Sequence, residues 1–140
     1  MVRFFRGHEG SVTQMKKEMT PAELEVMRAV WKVIEEGNVA NTRTVRKKVN
    51  ERRAEKLYGQ VIYSHIEHLQ EKGYVEVRRT EEGKRYYVPL VKKVDYVENQ
   101  ARSWADFWEQ GRVEYATMAL GKKLTKEEKE GLRKYLDELD

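Results

Sequence analysis

The segment from Tyr58 to Pro89 constrains the fold more than any other part of this chain. Its apolar spacing predicts a short amphipathic helix from Gln60 to Lys72 that stops at Gly73. Two alternating strands are predicted next, Tyr74–Arg79 and Lys84–Pro89, with a charged glycine turn between them. A helix followed by a hairpin is typical of a winged helix-turn-helix, which lays its second helix in a DNA major groove.

A basic helical segment lies just upstream of this helix and hairpin. Its members are Arg43, Arg46, Lys47, Lys48, Arg52, Arg53 and Lys56. Residues 1–89 carry 18 Lys and Arg against 13 Asp and Glu, a balance of +5, whereas residues 90–140 carry 10 against 11, a balance of −1. This distribution is the electrostatic footprint expected of a phosphate-binding protein. The lysine-rich surface of a solvated or thermophilic protein is the alternative explanation.

Several function classes are excluded or disfavoured by composition. The chain has no cysteine, which excludes a disulfide scaffold, a cysteine-based zinc site and thiol redox chemistry. It has no long apolar run and no signal-peptide core, so we predict a cytoplasmic protein without a membrane partner. No catalytic triad, phosphate-cradling glycine loop or paired-carboxylate motif stands out, so neither catalysis nor a cofactor is predicted. His65 and His68 lie one turn apart without a third ligand at obvious spacing, so no metal site is predicted.

We predict three regions: a flexible basic arm (residues 1–18), a winged helix-turn-helix DNA-binding domain (19–91) and a helical dimerisation region (92–140). The predicted fold class is therefore mainly α with a small β-wing. The first helix is expected to begin with a capping box formed by Thr20 and Glu23 and to end at Gly37. Its predicted apolar stripe consists of Leu24, Met27, Trp31 and Ile34, with Val30 beside them.

Two elements are predicted between the first helix and the Gln60–Lys72 helix. Val39–Thr42 is expected to form a short strand that pairs with the wing. Thr44–Ala54 is expected to form a second helix that buries Val45 and Val49.

The Gln60–Lys72 helix is expected to bury Ile62, Ile66 and Leu69, with Tyr58 before them, and to turn its polar side chains outward. Hydrogen-bonding side chains suit the reading of base edges, although a merely solvated polar face is the alternative. The predicted base-edge contacts are Gln60, Tyr63, Ser64 and His68. The predicted backbone contacts are Thr44, Arg46 and Lys47 on the second helix and Arg79, Lys84 and Arg85 on the wing.

After Pro89 the sequence predicts three amphipathic helices, the last beginning with a capping box formed by Thr125 and Glu128. Three helices in about fifty residues enclose too little core on their own, so their apolar faces need a partner. A second copy of the chain is the simplest partner, and folding back on the winged helix is the alternative. The predicted dimerisation residues are Val97, Ala101, Trp104, Phe107, Trp108, Leu132 and Leu136.

Four stretches of the sequence resemble the penicillinase-repressor family, the BlaI/MecI/CopY group. Met19–Trp31 is similar to the family's opening motif, and Thr44–Arg46 resembles the start of its second helix. Ile62–Gly73 follows the family's recognition-helix pattern, and Gly83–Val91 resembles its wing and exit. The resemblance covers roughly residues 19–110, with a weaker echo near Thr125. It implies a homodimeric winged-helix repressor on a palindromic operator, with C-terminal helices that dimerise.

The chain departs from the family pattern at positions that carry function. Copper-sensing members use C-terminal cysteines, which this chain lacks, and the Asn-Phe bond cut in other members has Asp106-Phe107 as its nearest equivalent. Gln60-Val61 stands where the family has a threonine pair, and His68 stands in place of an arginine. The operator sequence is therefore expected to differ from the usual family site, and the inducer is not identified.

We therefore expect a transcriptional regulator, most simply a repressor, that binds double-stranded DNA as a homodimer. Two alternatives stay open. The first is a nonspecific architectural DNA-binding protein, which would show a steep salt dependence with little sequence preference. The second is a winged-helix module for protein–protein interaction, in which the edge formed by Glu67 and Glu71 faces a partner.

Overall fold

The computed structural model describes residues 17–121 and 124–139. Within these ranges the chain forms six helices and one two-stranded antiparallel sheet. These are α1 (Pro21–Glu35), α2 (Thr42–Asn50), α3 (Gly59–Glu71), β1 (Val75–Arg79), β2 (Arg85–Pro89), α4 (Lys93–Phe107), α5 (Arg112–Leu120) and α6 (Lys126–Glu138). The predicted fold class, mainly α with a small β-wing, is confirmed. The predicted N-terminal arm lies outside the described residues except for Lys17 and Glu18.

The described residues divide into two compact units, and α4 begins in one and ends in the other. The N-terminal unit ends at Gln100, and the C-terminal unit begins at Ala101. No helix in the described ranges is long and apolar enough to cross a membrane.

Helix α1 begins with the capping box that the sequence predicts. The Thr20 hydroxyl accepts a hydrogen bond from the Glu23 N–H at 3.2 Å, and the Glu23 carboxylate accepts one from the Thr20 N–H at 2.9 Å. Both bonds satisfy N–H groups at the helix start that have no partner within the helix. The predicted burial of Ile34 is wrong, since this side chain is 40% exposed. Ile34 lies at a core-facing angle but in the last turn of α1, where little packs over it.

The core of the N-terminal unit lies where α1, α2 and α3 pack against one another. Helix α2 contributes Val45 and Val49, and α3 contributes Ile62, Ile66 and Leu69, all of them buried. Burying each of these side chains contributes about 1.5–3 kcal/mol. Tyr58, expected beside this face, is exposed because it precedes α3 as an extended N-cap residue.

Helix α2 begins two residues earlier than predicted. The Asn41 side chain accepts a hydrogen bond from the Thr44 N–H at 2.9 Å, and the Thr44 hydroxyl accepts one from the Asn41 N–H at 2.9 Å. This capping box leaves no room for the predicted strand at Val39–Thr42, and that prediction is wrong. One backbone bond remains of the expected pairing, from the Tyr87 N–H to the Ala40 carbonyl at 2.8 Å.

The end of α2 also differs from the prediction, since the helix stops at Asn50 and not at Ala54. The Asn50 side chain explains the early stop. Its carbonyl oxygen accepts a bond from the Leu57 N–H at 2.9 Å, and its amide donates to the Leu57 carbonyl at 3.1 Å. These two bonds hold the loop that leads to α3.

The wing is the antiparallel pair β1–β2, in the register Val75↔Pro89 to Arg79↔Arg85. Its turn closes through the Thr80 N–H, which donates to the Lys84 carbonyl at 2.8 Å. Gly83 adopts φ 84°, a conformation that residues with a Cβ rarely take, so glycine suits this position. Three side chains of the wing region are buried in the core: Tyr74 just before β1, Val75 in β1 and Tyr87 in β2.

The chain leaving the wing is fixed to α1 by aromatic side chains. The Trp31 indole N–H donates to the Val91 carbonyl at 3.0 Å, and its ring centroid lies 5.7 Å from that of Tyr96. The Tyr96 ring also meets the edge of Tyr74 at 6.3 Å. Burial raises the pKa of Tyr96 to about 12, so this phenol stays neutral. Trp31, predicted on the apolar stripe of the first helix, is buried.

The C-terminal unit contains the rest of α4 together with α5 and α6. The predicted capping box is confirmed: the Thr125 hydroxyl accepts from the Glu128 N–H at 3.1 Å, and the Glu128 carboxylate accepts from the Thr125 N–H at 2.8 Å. Among the described residues of this unit, Ala105 is the one buried apolar side chain. Helix α6 therefore has a capped start, but the described helices of this unit bury almost no apolar side chains among themselves.

Candidate nucleic-acid interface

Helix α3 presents a continuous polar face on the side opposite its buried residues. Gln60, Ser64, Glu67 and Glu71 are all exposed there. At 100° per residue these four positions fall within a narrow sector centred opposite Ile62 and Ile66. The face carries amide, hydroxyl and carboxylate groups and no Lys or Arg, so it offers hydrogen bonds without attracting phosphates.

The N-terminus of α3 differs from those of α1 and α2 because no side chain caps it. Val61 and Ile62 donate their N–H groups to the Tyr58 carbonyl, at 3.1 and 3.2 Å. The N–H groups that precede these two in the first turn of a helix have no hydrogen-bond partner within the helix. Such groups favour a negatively charged neighbour. Gly59 starts the helix, and a Cβ there would lie 3.4 Å from the Thr42 side chain. The starts of α2 and α3 therefore lie close together.

A basic depression of about 440 Å³ lies between the start of α2 and the wing. Its lining is Asn41, Thr42, Arg43, Arg79, Gly83, Lys84 and Arg85, with four basic side chains and no acidic one. Arg79 and Arg85 are directly opposite each other across the two strands. Like charges in such a pair repel, so this depression favours an anion.

Arg79 and Arg85 are each held by a different neighbour. Arg79 donates from Nη1 to the Gly83 carbonyl at 3.0 Å, which ties it to the turn of the wing. The Arg85 guanidinium carbon lies 4.1 Å from the centroid of the Tyr63 ring, in cation–π contact. One wing residue and one α3 residue, both predicted as DNA contacts, thus touch each other.

Basic residues on α2 continue this surface. Arg43, Arg46 and Lys47 are exposed and lie at positions i, i+3 and i+4, hence on one face of the helix. Thr44 lies at the start of the same helix and caps it. Its hydroxyl donates to the Val39 carbonyl at 2.8 Å and accepts from the Asn41 N–H, so it is engaged in the cap of α2.

His68 is oriented differently from Gln60 and Ser64. Its Nδ1 atom lies 3.7 Å from Glu23 Oε2, so the half-exposed ring turns toward α1. Glu23 is 4% exposed, and its Oε1 atom also accepts a bond from Lys72 Nζ at 2.5 Å. The end of α3 is therefore anchored to the beginning of α1 through one buried carboxylate.

The contacts of the Glu23 carboxylate lower its pKa. Burial alone would raise it, but the hydrogen bond from Lys72, the N–H bond from Thr20 and the positive charge of Lys72 outweigh burial and lower it below 4.5. Glu23 is thus ionised at neutral pH and paired with an ammonium group.

His65 and His68 do not complete a metal site with neighbouring residues. Their ring centroids are 6.4 Å apart, and His65 Nδ1 is buried without a hydrogen-bond partner. Within the part of the chain that the structure describes, no group of three or more His, Cys, Asp or Glu side chains could hold a metal ion.

Three residues that line this site or support it were not among its predicted contacts, although Arg43 and Glu67 were named in other roles. Arg43 lines the basic depression, Glu67 lies on the polar face of α3, and Glu23 anchors α3 from below. Helical spacing from Arg46 and Lys47 could have revealed Arg43, and the angle from Ser64 could have revealed Glu67. The contact between Glu23 and Lys72 joins residues far apart in sequence, which no local pattern signals.

The predicted dimerisation residues carry a large exposed apolar surface. Phe107 is 53% exposed and Trp108 59% exposed, with ring centroids 4.8 Å apart, and the Trp104 ring lies 5.5 Å from Phe107. Leu132 and Leu136 are exposed on α6, and Val97 and Ala101 are exposed on α4.

Comparison with known proteins identifies the family of this chain. The family model described as penicillinase repressor matches residues 19–138, which include the winged helix and the helices that follow it. No curated protein matches the chain. The resemblance inferred from Met19–Trp31 and Ile62–Gly73 is thereby confirmed. The chain belongs to the penicillinase repressor family, a family of DNA-binding transcriptional repressors.

Proposed function

We propose that this repressor acts as a homodimer on a palindromic operator, reading bases with α3 and holding phosphates with α2 and the wing. The observation that carries the proposal is the separation of two chemistries on adjacent surfaces. The exposed face of α3 has hydrogen-bonding groups without cations, whereas the depression beside it has four cations without a carboxylate. Base contacts specify and phosphate contacts position, so each surface suits one task.

Gln60 and Ser64 are the base-edge contacts best supported by their exposure on α3. Gln pairs with adenine through two bonds, and Ser pairs with several base edges. We add Glu67 to this set, because a carboxylate in the major groove accepts a hydrogen bond from the cytosine amino group. The predicted base contact of His68 is less well supported, since its ring turns toward Glu23.

Arg79, Lys84 and Arg85 are proposed to hold one phosphate region at the wing, together with Arg43. Arg46 and Lys47 extend this contact along α2. Thr44 is proposed to act indirectly, because its hydroxyl fixes the N-terminus of α2 instead of pointing to a ligand.

The exposed apolar faces of the C-terminal unit support the homodimer. Side chains such as Phe107, Trp108 and Leu136 bury little surface within their own unit. Trp104, Phe107 and Trp108 form one aromatic cluster, and exposed apolar clusters mark interaction surfaces. Two-fold pairing of identical chains is the commonest arrangement. Two α3 helices related by such an axis read half-sites about 34–36 Å apart.

The test is binding of the purified protein to its own upstream DNA and to a random duplex of equal length, titrated at several salt concentrations. A specific repressor prefers the operator by about a thousandfold or more. Gln60→Ala is expected to cost about 1–3 kcal/mol on the operator and much less on random DNA. Arg85→Ala is expected to weaken both duplexes similarly and to lower the salt slope by about one unit.

Arg28→Ala is the matched control for Arg85→Ala, because Arg28 is an exposed arginine on α1 outside the proposed surface. It should leave both affinities and the salt slope almost unchanged. Equal losses on both duplexes for Gln60→Ala would contradict base reading. Equal, salt-steep affinity for all duplexes would indicate an architectural protein, and no binding at moderate salt would indicate a protein-interaction module.

A further inference from the structure

We infer that Tyr63 is a positioning residue that holds Arg85 for its phosphate contact, so that the wing and the recognition helix bind DNA as one coupled unit. The inference rests on the proposed function and deepens it. It changes the role of Tyr63, which the sequence predicts as a base-edge contact. The carrying observation is the 4.1 Å distance between the Arg85 guanidinium carbon and the Tyr63 ring centroid.

The position of Arg85 requires a stabilising contact, because the basic side chains around it repel its guanidinium group. Its direct cross-strand neighbour is Arg79, and the depression that both line contains Arg43 and Lys84 but no carboxylate. Without an anion present, these like charges favour an outward swing of the exposed Arg85 side chain. Arg79 is retained by the Gly83 carbonyl, whereas Arg85 is retained by the face of an aromatic ring.

Tyr63 is suited to this task by its position on α3. It is half-buried, at the edge between the core face and the exposed polar face. One face of its ring is covered by the guanidinium, so that face cannot stack on a base. Stacking an arginine on an aromatic ring leaves its planar N–H groups free to bond a phosphate.

Further hydrogen bonds connect the strand that carries Arg85 to the start of α2. Two residues along β2, the Tyr87 N–H donates to the Ala40 carbonyl, and the Tyr87 hydroxyl hydrogen-bonds the Thr42 hydroxyl at the start of α2. Tyr63, Arg85 and Tyr87 therefore connect α3, β2 and α2, the three elements that carry the proposed DNA contacts. Movement of the wing relative to α3 would break the stack.

The test is a double-mutant cycle of Tyr63→Leu and Arg85→Ala, with operator and random-duplex affinity and the salt slope as readouts. Tyr63→Leu should weaken both duplexes by about two- to fivefold, as expected for an exposed cation–π pair. It should also lower the salt slope toward that of Arg85→Ala. Adding Tyr63→Leu to Arg85→Ala should change little further, because the residue being positioned is already gone.

Tyr63→Phe is the matched control, because it keeps the ring and removes the hydroxyl. It should bind both duplexes like the unchanged protein. Selective loss of operator binding in Tyr63→Phe, or multiplicative losses in the double mutant, would overturn the inference and restore Tyr63 as a base contact. The Arg85→Ala background separates loss of the stack from a general effect on folding, because a folding defect in Tyr63→Leu would lower affinity there as well.

A measurement without DNA separates this inference from the proposed function. In the free protein the Tyr63 ring should shift the NMR signals of the Arg85 δ protons upfield, and the shift should persist in Tyr63→Phe and vanish in Tyr63→Leu. No shift in the unchanged protein would overturn the inference even if DNA binds. A shift without duplex binding would overturn the proposed function and, with it, the phosphate-binding role of the Tyr63–Arg85 pair.

Discussion

The N-terminal and C-terminal units are built from helices with the same local signals, yet they differ in how much they bury. Seventeen buried apolar side chains lie in the N-terminal unit, from Met19 to Tyr96, against Ala105 among the described residues of the C-terminal unit. Thr20 and Glu23 begin α1 as Thr125 and Glu128 begin α6, with the same pair of bonds. Capping and periodicity thus define where a helix forms, whereas burial decides whether it is stable alone.

The largest difference is expected from truncating a leucine in each unit. Leu69 is 0% exposed, so Leu69→Ala should destabilise the N-terminal unit by about 2–5 kcal/mol, through lost burial and the cavity left behind. Leu136 is 56% exposed, and in dilute protein Leu136→Ala should change the free energy of unfolding by less than about 0.5 kcal/mol. Urea unfolding followed by circular dichroism measures both. Equal losses would refute the contrast between the units.

The second effect concerns association. If the apolar face of the C-terminal unit is the dimer interface, Trp108→Ser should weaken dimerisation by about 2 kcal/mol or more, roughly 30-fold in Kd. Sedimentation equilibrium measures the change. The exposed Lys134, on the opposite face of α6 from Leu132 and Leu136, gives the control Lys134→Ser. A dimer unaffected by Trp108→Ser would place the interface elsewhere.

The third effect tests the buried ion pair of the N-terminal unit, which the C-terminal unit does not match among its described residues. Lys72→Met should cost about 1.5–3 kcal/mol at pH 7, because it leaves the buried Glu23 carboxylate without its ammonium partner. The pKa of Glu23 is lowered on folding, so this stabilisation is present above pH 4.5 and is lost as the pH falls through the folded-state pKa.

The stability difference between the unchanged protein and Lys72→Met should therefore narrow in acid. Urea unfolding between pH 3 and 7 measures it. The exposed Lys32 on α1 provides the control Lys32→Met, whose effect should be small and flat in this range. A constant difference for Lys72→Met down to pH 3 would show that the ion pair does not set it.

The smallest effect compares the two matching capping boxes. Thr20→Ala and Thr125→Ala should each cost about 1 kcal/mol of local helix stability. In the N-terminal unit this loss should appear in global unfolding, because α1 is part of the core. In α6 it should appear as faster amide hydrogen exchange in the first turn, with the unfolding of the N-terminal unit unchanged. A global effect from Thr125→Ala would mean that α6 is packed more tightly than its exposed side chains indicate.

Local sequence signals predicted most of the fold. Two capping boxes, the wing and the buried side of α3 follow from spacing alone. The capping box at Asn41 was missed because the residue at the third helical position is Thr44. A capping box usually has Glu or Gln there, whereas Thr44 accepts the bond with a hydroxyl. Ile34 was misplaced because periodicity gives the angle of a side chain but not how far along the helix its partners extend.

The candidate site was harder to predict, since its decisive contacts join distant residues. The periodicity of α3 could place His68 near the outer face, but not reveal that Glu23 of α1 lies beside it. Likewise, the sequence proposed Tyr63 and Arg85 as separate contacts, and their stacking appears only when the wing folds back toward α3. Chemistry that depends on one element is readable from sequence, whereas chemistry shared between elements requires the fold.

The residues just before α1 have a practical consequence for shortening this protein. Lys72 Nζ donates to the Glu18 carbonyl at 2.9 Å, and the Tyr74 hydroxyl donates to the Lys17 carbonyl at 2.7 Å. Both acceptors are main-chain atoms, so these two bonds require the peptide at positions 17 and 18 to be present. A version that starts at Thr20 would lose both acceptors and the buried Met19 as well. A version that starts at residue 17 keeps both carbonyl acceptors and Met19. It is therefore the shortest version that preserves these contacts at the end of α3.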